Sequence, residues 1–170
     1  MNLYLVRHGA AVNVGEQGVK ADAERMLSPE GVQKTREVVR CLKLLATDVD
    51  RIISSPLLRA TQTAEIIARA LGKRKALETS EVLRPDTALR VVLAWLRRHC
   101  STSTLLVGHM PALAELTSRL IADNTRARIE FKKAGVAKIS FMESPEPGQG
   151  QLEWLLPPRV AATLVRLKNR

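Results

Sequence analysis

The 170-residue chain is 45% hydrophobic and 26% charged, which suits one globular domain over residues 1–170, large enough to bury well over half of its surface without disulfides or structural metals. No apolar run approaches the roughly 20 residues of a membrane span, and the start, Met1-Asn2-Leu3-Tyr4, lacks the basic-then-apolar pattern of a secretory signal, so the expected location is the cytoplasm, away from membranes. The net charge of +10 favours phosphorylated or polyanionic partners, yet aromatic residues are only 3% and scattered, which leaves nucleic acid without a stacking platform.

Leu3 to Val6 reads as a short strand of the buried type. Residues 7–27 form a long loop with Gly9, Gly15 and Gly18, and a loop of that length in a compact domain is functional or mobile. Ser28 caps a helix with Pro29 at its first position. The apolar face of that helix uses Val32, Val39, Leu42 and Leu45. Asp50 to Ser54 is a second strand, and Ser55-Pro56 opens a helix faced by Leu58, Ile66, Ile67 and Leu71 and ended by Gly72. Ala76 to Glu78 is a short strand, followed by a loop over 79–85. Asp86 caps a helix that runs to about His99, with Leu89, Val92, Leu93 and Leu96 inside. Thr104 to Val107 is a third clear strand; Gly108-His109-Met110-Pro111 leads from it into a helix with Leu113, Leu116 and Leu120. Val136 to Phe141 and Gln151 to Leu155 form an antiparallel hairpin around a Pro/Gly turn, and a short basic helix ends the chain. Strands alternating with helices imply an α/β fold. The expectation is a three-layer α/β/α sandwich whose mainly parallel sheet is covered on both faces and carries an antiparallel edge strand.

In such sheets ligands bind beyond the carboxyl ends of the strands. Arg7, His8 and Gly9 follow the first strand, Arg59 lies in the first turn after the second, and Gly108 and His109 follow the third. Two arginines, two histidines and two helix N-termini therefore meet on one sheet edge. Guanidinium forks and unpaired helix N–H groups suit phosphate oxygens, so the constellation reads as a phosphate site. Cys41 and Cys100 are isolated and read as reduced, and their spacing from the three histidines resembles no zinc cluster. A histidine here serves instead as a nucleophile, kept neutral by flanking arginines. Gly9 removes a side chain where backbone approaches the anion.

"LVRHG", "SSPLLRATQTAEII" and "LLVGHMP" resemble, in order and spacing, the three signature segments of the histidine phosphatase superfamily, the phosphoglycerate-mutase-like fold. "LSPEGVQKTREV", "KKAGVAKISF" and "LEWLLPPR" are similar to segments of the small SixA-type phosphohistidine phosphatases. The resemblance implies that His8 is the phosphorylated nucleophile, that Arg7, Arg59 and His109 hold the phosphoryl oxygens, and that no metal or cofactor takes part. Gly9, Asn13 and Ser55 are further candidates to approach the phosphate, and Lys132 and Lys133 to dock an acidic phosphoprotein. Two departures carry meaning. Ala10 stands where many members have Glu or Asp, and the Leu-x-Glu loop that supplies a general acid to phosphoester-cleaving members is replaced by "SEVLRPDTALR". Glu81 and Asp86 are the carboxylates available there; they read as a loop charge and a helix cap. An alkoxide leaving group needs a proton, whereas imidazole leaves already protonated near neutral pH. The implied function is a monomeric protein phosphohistidine phosphatase acting on a histidine-phosphorylated protein. The alternative is a phosphomonoesterase of small phosphoesters with Glu81 or Asp86 as acid.

Overall fold

The computed structural model describes residues 1–45 and 47–168. The chain runs β1 (Asn2–Arg7), α1 (Pro29–Leu44), β2 (Arg51–Ser54), α2 (Leu58–Leu71), β3 (Leu77–Thr79), α3 (Leu89–His99), β4 (Ser103–Gly108), α4 (Ala112–Ala122), β5 (Val136–Ser140), β6 (Gln151–Leu156) and α5 (Pro158–Lys168). One six-stranded sheet has the order β3-β2-β4-β1-β5-β6. The strands β1 to β4 are mutually parallel where they pair, and β5 runs antiparallel to both β1 and β6. The reversed strand thus sits one place in from the edge, with β6 of the hairpin outside it.

Side chains alternate across the sheet with the two-residue period of a pleat. Tyr4, Val6, Ile52, Leu105 and Val107 pack against α1, α2 and α5. Leu3, Leu5, Ile53 and Leu106 pack against α3 and α4. Two cores therefore cover both faces, as the alternation of strands and helices requires.

The helix starts show where local signals win and where tertiary pairing overrides them. Ser28 caps α1 as its sequence position dictates, its hydroxyl accepting the Gly31 N–H at 3.1 Å. The helix α2 begins later than Ser55-Pro56 because Ser55 continues the sheet, its N–H donating to the Val107 carbonyl at 2.9 Å. Asp86 does not cap α3. The N-cap is Ala88, without a side-chain bond, because a turn closes first between Thr87 N–H and the Arg84 carbonyl. The buried face of α1 is Val38, Val39, Cys41 and Leu42, with Gly31 and Thr35 extending it toward the N-terminus; Leu45 lies 47% exposed.

Gly31 is the position that ties α1 to the loop after β1. A Cβ there would stand 2.0 Å from the Ala10 carbonyl oxygen, and that carbonyl accepts the Ser28 N–H at 2.9 Å. Gly31→Ala must push this backbone apart. We expect a loss of about 1–3 kcal/mol in urea unfolding, typical of overpacking, accompanied by lower activity because the displaced loop leads directly from the site.

Candidate active site

The register places the three strand ends side by side. Arg7 pairs with Gly108 across β1 and β4, and Ser54 pairs with Val107 across β2 and β4. The ladder continues one residue further on each side: His8 N–H donates to the Gly108 carbonyl at 3.1 Å, and Ser55 N–H to that of Val107. His8, Ser55 and His109 are thereby fixed by backbone rather than by loop chance.

His8 is 8% exposed. Its Nδ1 lies 2.7 Å from the Gly9 carbonyl oxygen. A carbonyl only accepts, so Nδ1 carries the ring hydrogen and Nε2 keeps the lone pair. The Nε–H of Arg59 donates to that Nε2 at 3.3 Å. The imidazole is thus held in the tautomer whose Nε2 lone pair could act as a nucleophile, with a guanidinium donating to that nitrogen.

Arg59 is 5% exposed, and each of its three nitrogens has a partner. One terminal nitrogen donates to the Asp22 backbone carbonyl at 2.7 Å, and the other to Asp22 Oδ2 at 2.9 Å. Thr63, one turn further along α2, accepts the Gly9 N–H at 3.0 Å and donates to the Arg59 carbonyl at 2.7 Å. The loop over 8–28 folds back over α2. Ala11 bridges to Leu27, and Arg25 Nε donates to the Val12 carbonyl at 2.7 Å.

The second histidine stacks at a tilt on the first, with ring centroids 5.0 Å apart. Its Nε2 lies 2.8 Å from Ser55 Oγ. That hydroxyl accepts the Leu57 N–H at 3.4 Å, which leaves its own hydrogen free to turn to a His109 Nε2 lone pair. In this arrangement Nδ1 of His109 is a donor. Nδ1 of His109 and Nε of Arg7 are buried without a hydrogen-bond partner among the described residues. Unpartnered buried donors are costly, and two of them beside His8 suit the oxygens of a tetrahedral anion. Arg7 is aimed by its other arm, which donates to the Phe131 carbonyl at 2.6 Å.

The remaining residues singled out in the sequence fall elsewhere. Gly9 serves the approach of α1 rather than of an anion: an added Cβ would stand 2.8 Å from Thr35 Oγ1 and 3.0 Å from the Gly31 carbonyl, and its N–H is committed to Thr63. Ser55 acts on His109. Asn13 is exposed and bonded to Glu16 through backbone and side chain. Lys132 and Lys133 are exposed, Lys132 pairing with Glu130 at 2.5 Å. Glu81 and Asp86 both face Arg84, at 3.5 and 3.6 Å, with side chains 75% and 77% exposed.

Burial above all, then the charges of Arg59, Arg7 and Arg25, pushes the His8 pKa down to about 4, against an opposing pull from the Gly9 carbonyl. Burial, then His8 and Arg59, lowers His109 to about 3. Nitrogen NMR of the imidazoles should therefore find both rings neutral from pH 8 down to pH 5. Both pKa values are depressed, so below about pH 6.5 the unfolded chain takes up protons that the folded one does not. Stability falls as pH drops from that value toward 4. Burial works to raise the Asp22 pKa, but hydrogen bonds from Arg25 and Arg59 outweigh it and hold the carboxyl below its ordinary range.

The family pattern described as the histidine phosphatase superfamily (branch 1) matches residues 3–85. An uncharacterized protein of Picosynechococcus sp. is 36% identical over 140 residues, which cover 80% of this chain and 82% of that protein. The phosphohistidine phosphatase SixA of Escherichia coli K12 is 27% identical over 161 residues, 93% of this chain and 94% of that one. The solved structure of the protein histidine phosphatase SixA complexed with tungstate superposes with a TM-score of 0.80 at 26% identity, covering 94% and 98% of the two chains.

Proposed function

This chain belongs to the histidine phosphatase superfamily and is a phosphatase; we propose that it hydrolyses phosphohistidine carried on a protein, through a covalent intermediate on His8. Nε2 of His8 attacks phosphorus in line with the P–N bond of the substrate, and that bond's electron pair leaves with the substrate imidazole, which already carries its proton. Arg7 and Arg59 balance the charge on the equatorial oxygens, and the His109 Nδ1 hydrogen meets one of them. Water then attacks phospho-His8, releasing phosphate and returning Nε2 to its free form.

One observation carries the preference for a P–N over a P–O bond. The carboxylate that reaches the site, Asp22, is gripped by Arg59 and Arg25 and kept ionised. It has no proton to give an alkoxide. The likeness to SixA, named for phosphohistidine and solved with tungstate, a tetrahedral oxyanion, supports the same reading.

The test is phosphate release from a histidine-phosphorylated protein, an aryl phosphoester and a sugar phosphate in parallel. Rapid release from the first alone is the expected result. Preference for the sugar phosphate would sink the acid-free reading and transfer proton donation to Glu81 or Asp86.

A further inference from the structure

Arg7 and Ala10 also line a second feature, a cleft of about 690 Å³ bounded by the N-terminal half of α1, Lys132 and Lys133, and the start of α5. Pro157, Pro158 and Ala162 give it an apolar lining, and Lys34, Lys132, Lys133 and Arg159 stand exposed around it. Glu30 and Glu37 also line it. Lys34 pairs with Glu30 at 2.6 Å and Lys132 with Glu130; Glu37 takes a hydrogen bond from Gln33. Lys133 and Arg159 enter no ion pair among the described residues. The cleft therefore keeps an excess of positive charge at its mouth and apolar surface within.

The cleft adjoins the phosphoryl site, because Arg7 belongs to both. His8 is nearly enclosed, so an imidazole borne on a protein must reach inward, and the residues beside it must lie along whatever surface continues outward. This cleft is such a continuation, and its charge selects acid. We propose that the α1–α5 cleft seats acidic residues flanking the phosphohistidine of the substrate protein. The proposal rests on the phosphohistidine reading and names the partner surface that reading lacks.

The test uses two peptides, each with one phosphohistidine, flanked by glutamates in one and by glutamines in the other. At low salt the unaltered enzyme should turn over the acidic peptide about tenfold more efficiently in kcat/KM, and the advantage should shrink as salt screens it. The triple variant Lys132→Glu, Lys133→Glu, Arg159→Glu should bring the ratio to one or below. Arg36→Glu, Arg40→Glu, Lys43→Glu, which makes the same change of net charge at exposed positions elsewhere on α1, should keep it. A ratio unchanged in the first variant, or lost equally in both, overturns the proposal.

A fluorescent glutamate-rich peptide without phosphate reads docking by anisotropy apart from any chemistry. Its binding to the unaltered enzyme and not to the cleft variant supports the proposal even where neither phosphopeptide is hydrolysed, a result that would fail the phosphohistidine reading alone. No binding, or tighter binding of a single-stranded oligonucleotide lost in the same variant, overturns the acidic-protein assignment.

Discussion

His8→Ala abolishes phosphate release, with an expected fall on the order of 10⁴-fold or more, as for removal of other covalent nucleophiles. The substitution removes two side-chain bonds, to the neighbouring Gly9 carbonyl and from Arg59 Nε, but the backbone bond to Gly108 remains and Arg59 keeps its two bonds to Asp22, so the frame of the site is retained. The loss is therefore chemical rather than structural. Quenching a turnover reaction in alkali, where phosphohistidine survives, should trap a phosphorylated enzyme in the unaltered protein and none in the variant. Phosphate release that persists in His8→Ala would remove His8 from the nucleophile's role.

Arg59→Met has the second largest expected effect, about 10²- to 10³-fold in kcat, the range for losing one preorganised electrostatic partner. The residue makes three separate bonds: Nε to His8, and its two terminal nitrogens to Asp22. Its charge also depresses the His8 pKa, second to burial among the lowering causes. Removing it should raise that pKa toward the ordinary histidine value, visible in the imidazole NMR titration. Loosened packing would raise the same pKa, because burial is its largest depressing cause, so urea unfolding of the variant, expected to stay cooperative, separates lost charge from lost fold. The Asp22 contact gives the prediction a further edge. A phosphoryl group takes the guanidinium in competition with a carboxylate already there, so Asp22→Asn should tighten binding of inorganic phosphate by a few-fold. Unchanged phosphate affinity would mean that the two do not compete.

The sheet and the four central side chains were legible because each rests on a local signal. Apolar runs mark the strands, and the residue just past each parallel strand is placed by topology alone; hence Arg7, His8 and His109 could be read before any contact was known. Arg59 followed from its place in the first turn of α2. Thr63 was within reach by the same logic, one helical turn after Arg59 on the buried face, but a threonine in a helix carries no chemical flag. Asp22 and Arg25 were out of reach, since only the folding of the loop over 8–28 back onto α2 brings them to Arg59. Gly9 and Ser55 stand out in the sequence only as residues beside an anion; their contacts to α1 and to His109 leave no trace in a linear pattern. The Asp86 cap failed for the opposite reason: a sound local signal lost to a turn that closed first.

The pairing of β1 has a consequence for how the molecule comes into being. Its neighbours are β4 and β5, so the first strand made is enclosed by segments that lie beyond residue 100. At ribosomal rates an apolar strand waits on the order of ten seconds for its partners. Throughout that wait it is an open template for another chain's strand, and assembly from non-local pairs is slow once they arrive. Because Arg7 and His8 end this strand and His109 follows its neighbour β4, the histidine pair comes together in the same event that closes the middle of the sheet. Recovered enzyme activity is then a clock for that closure.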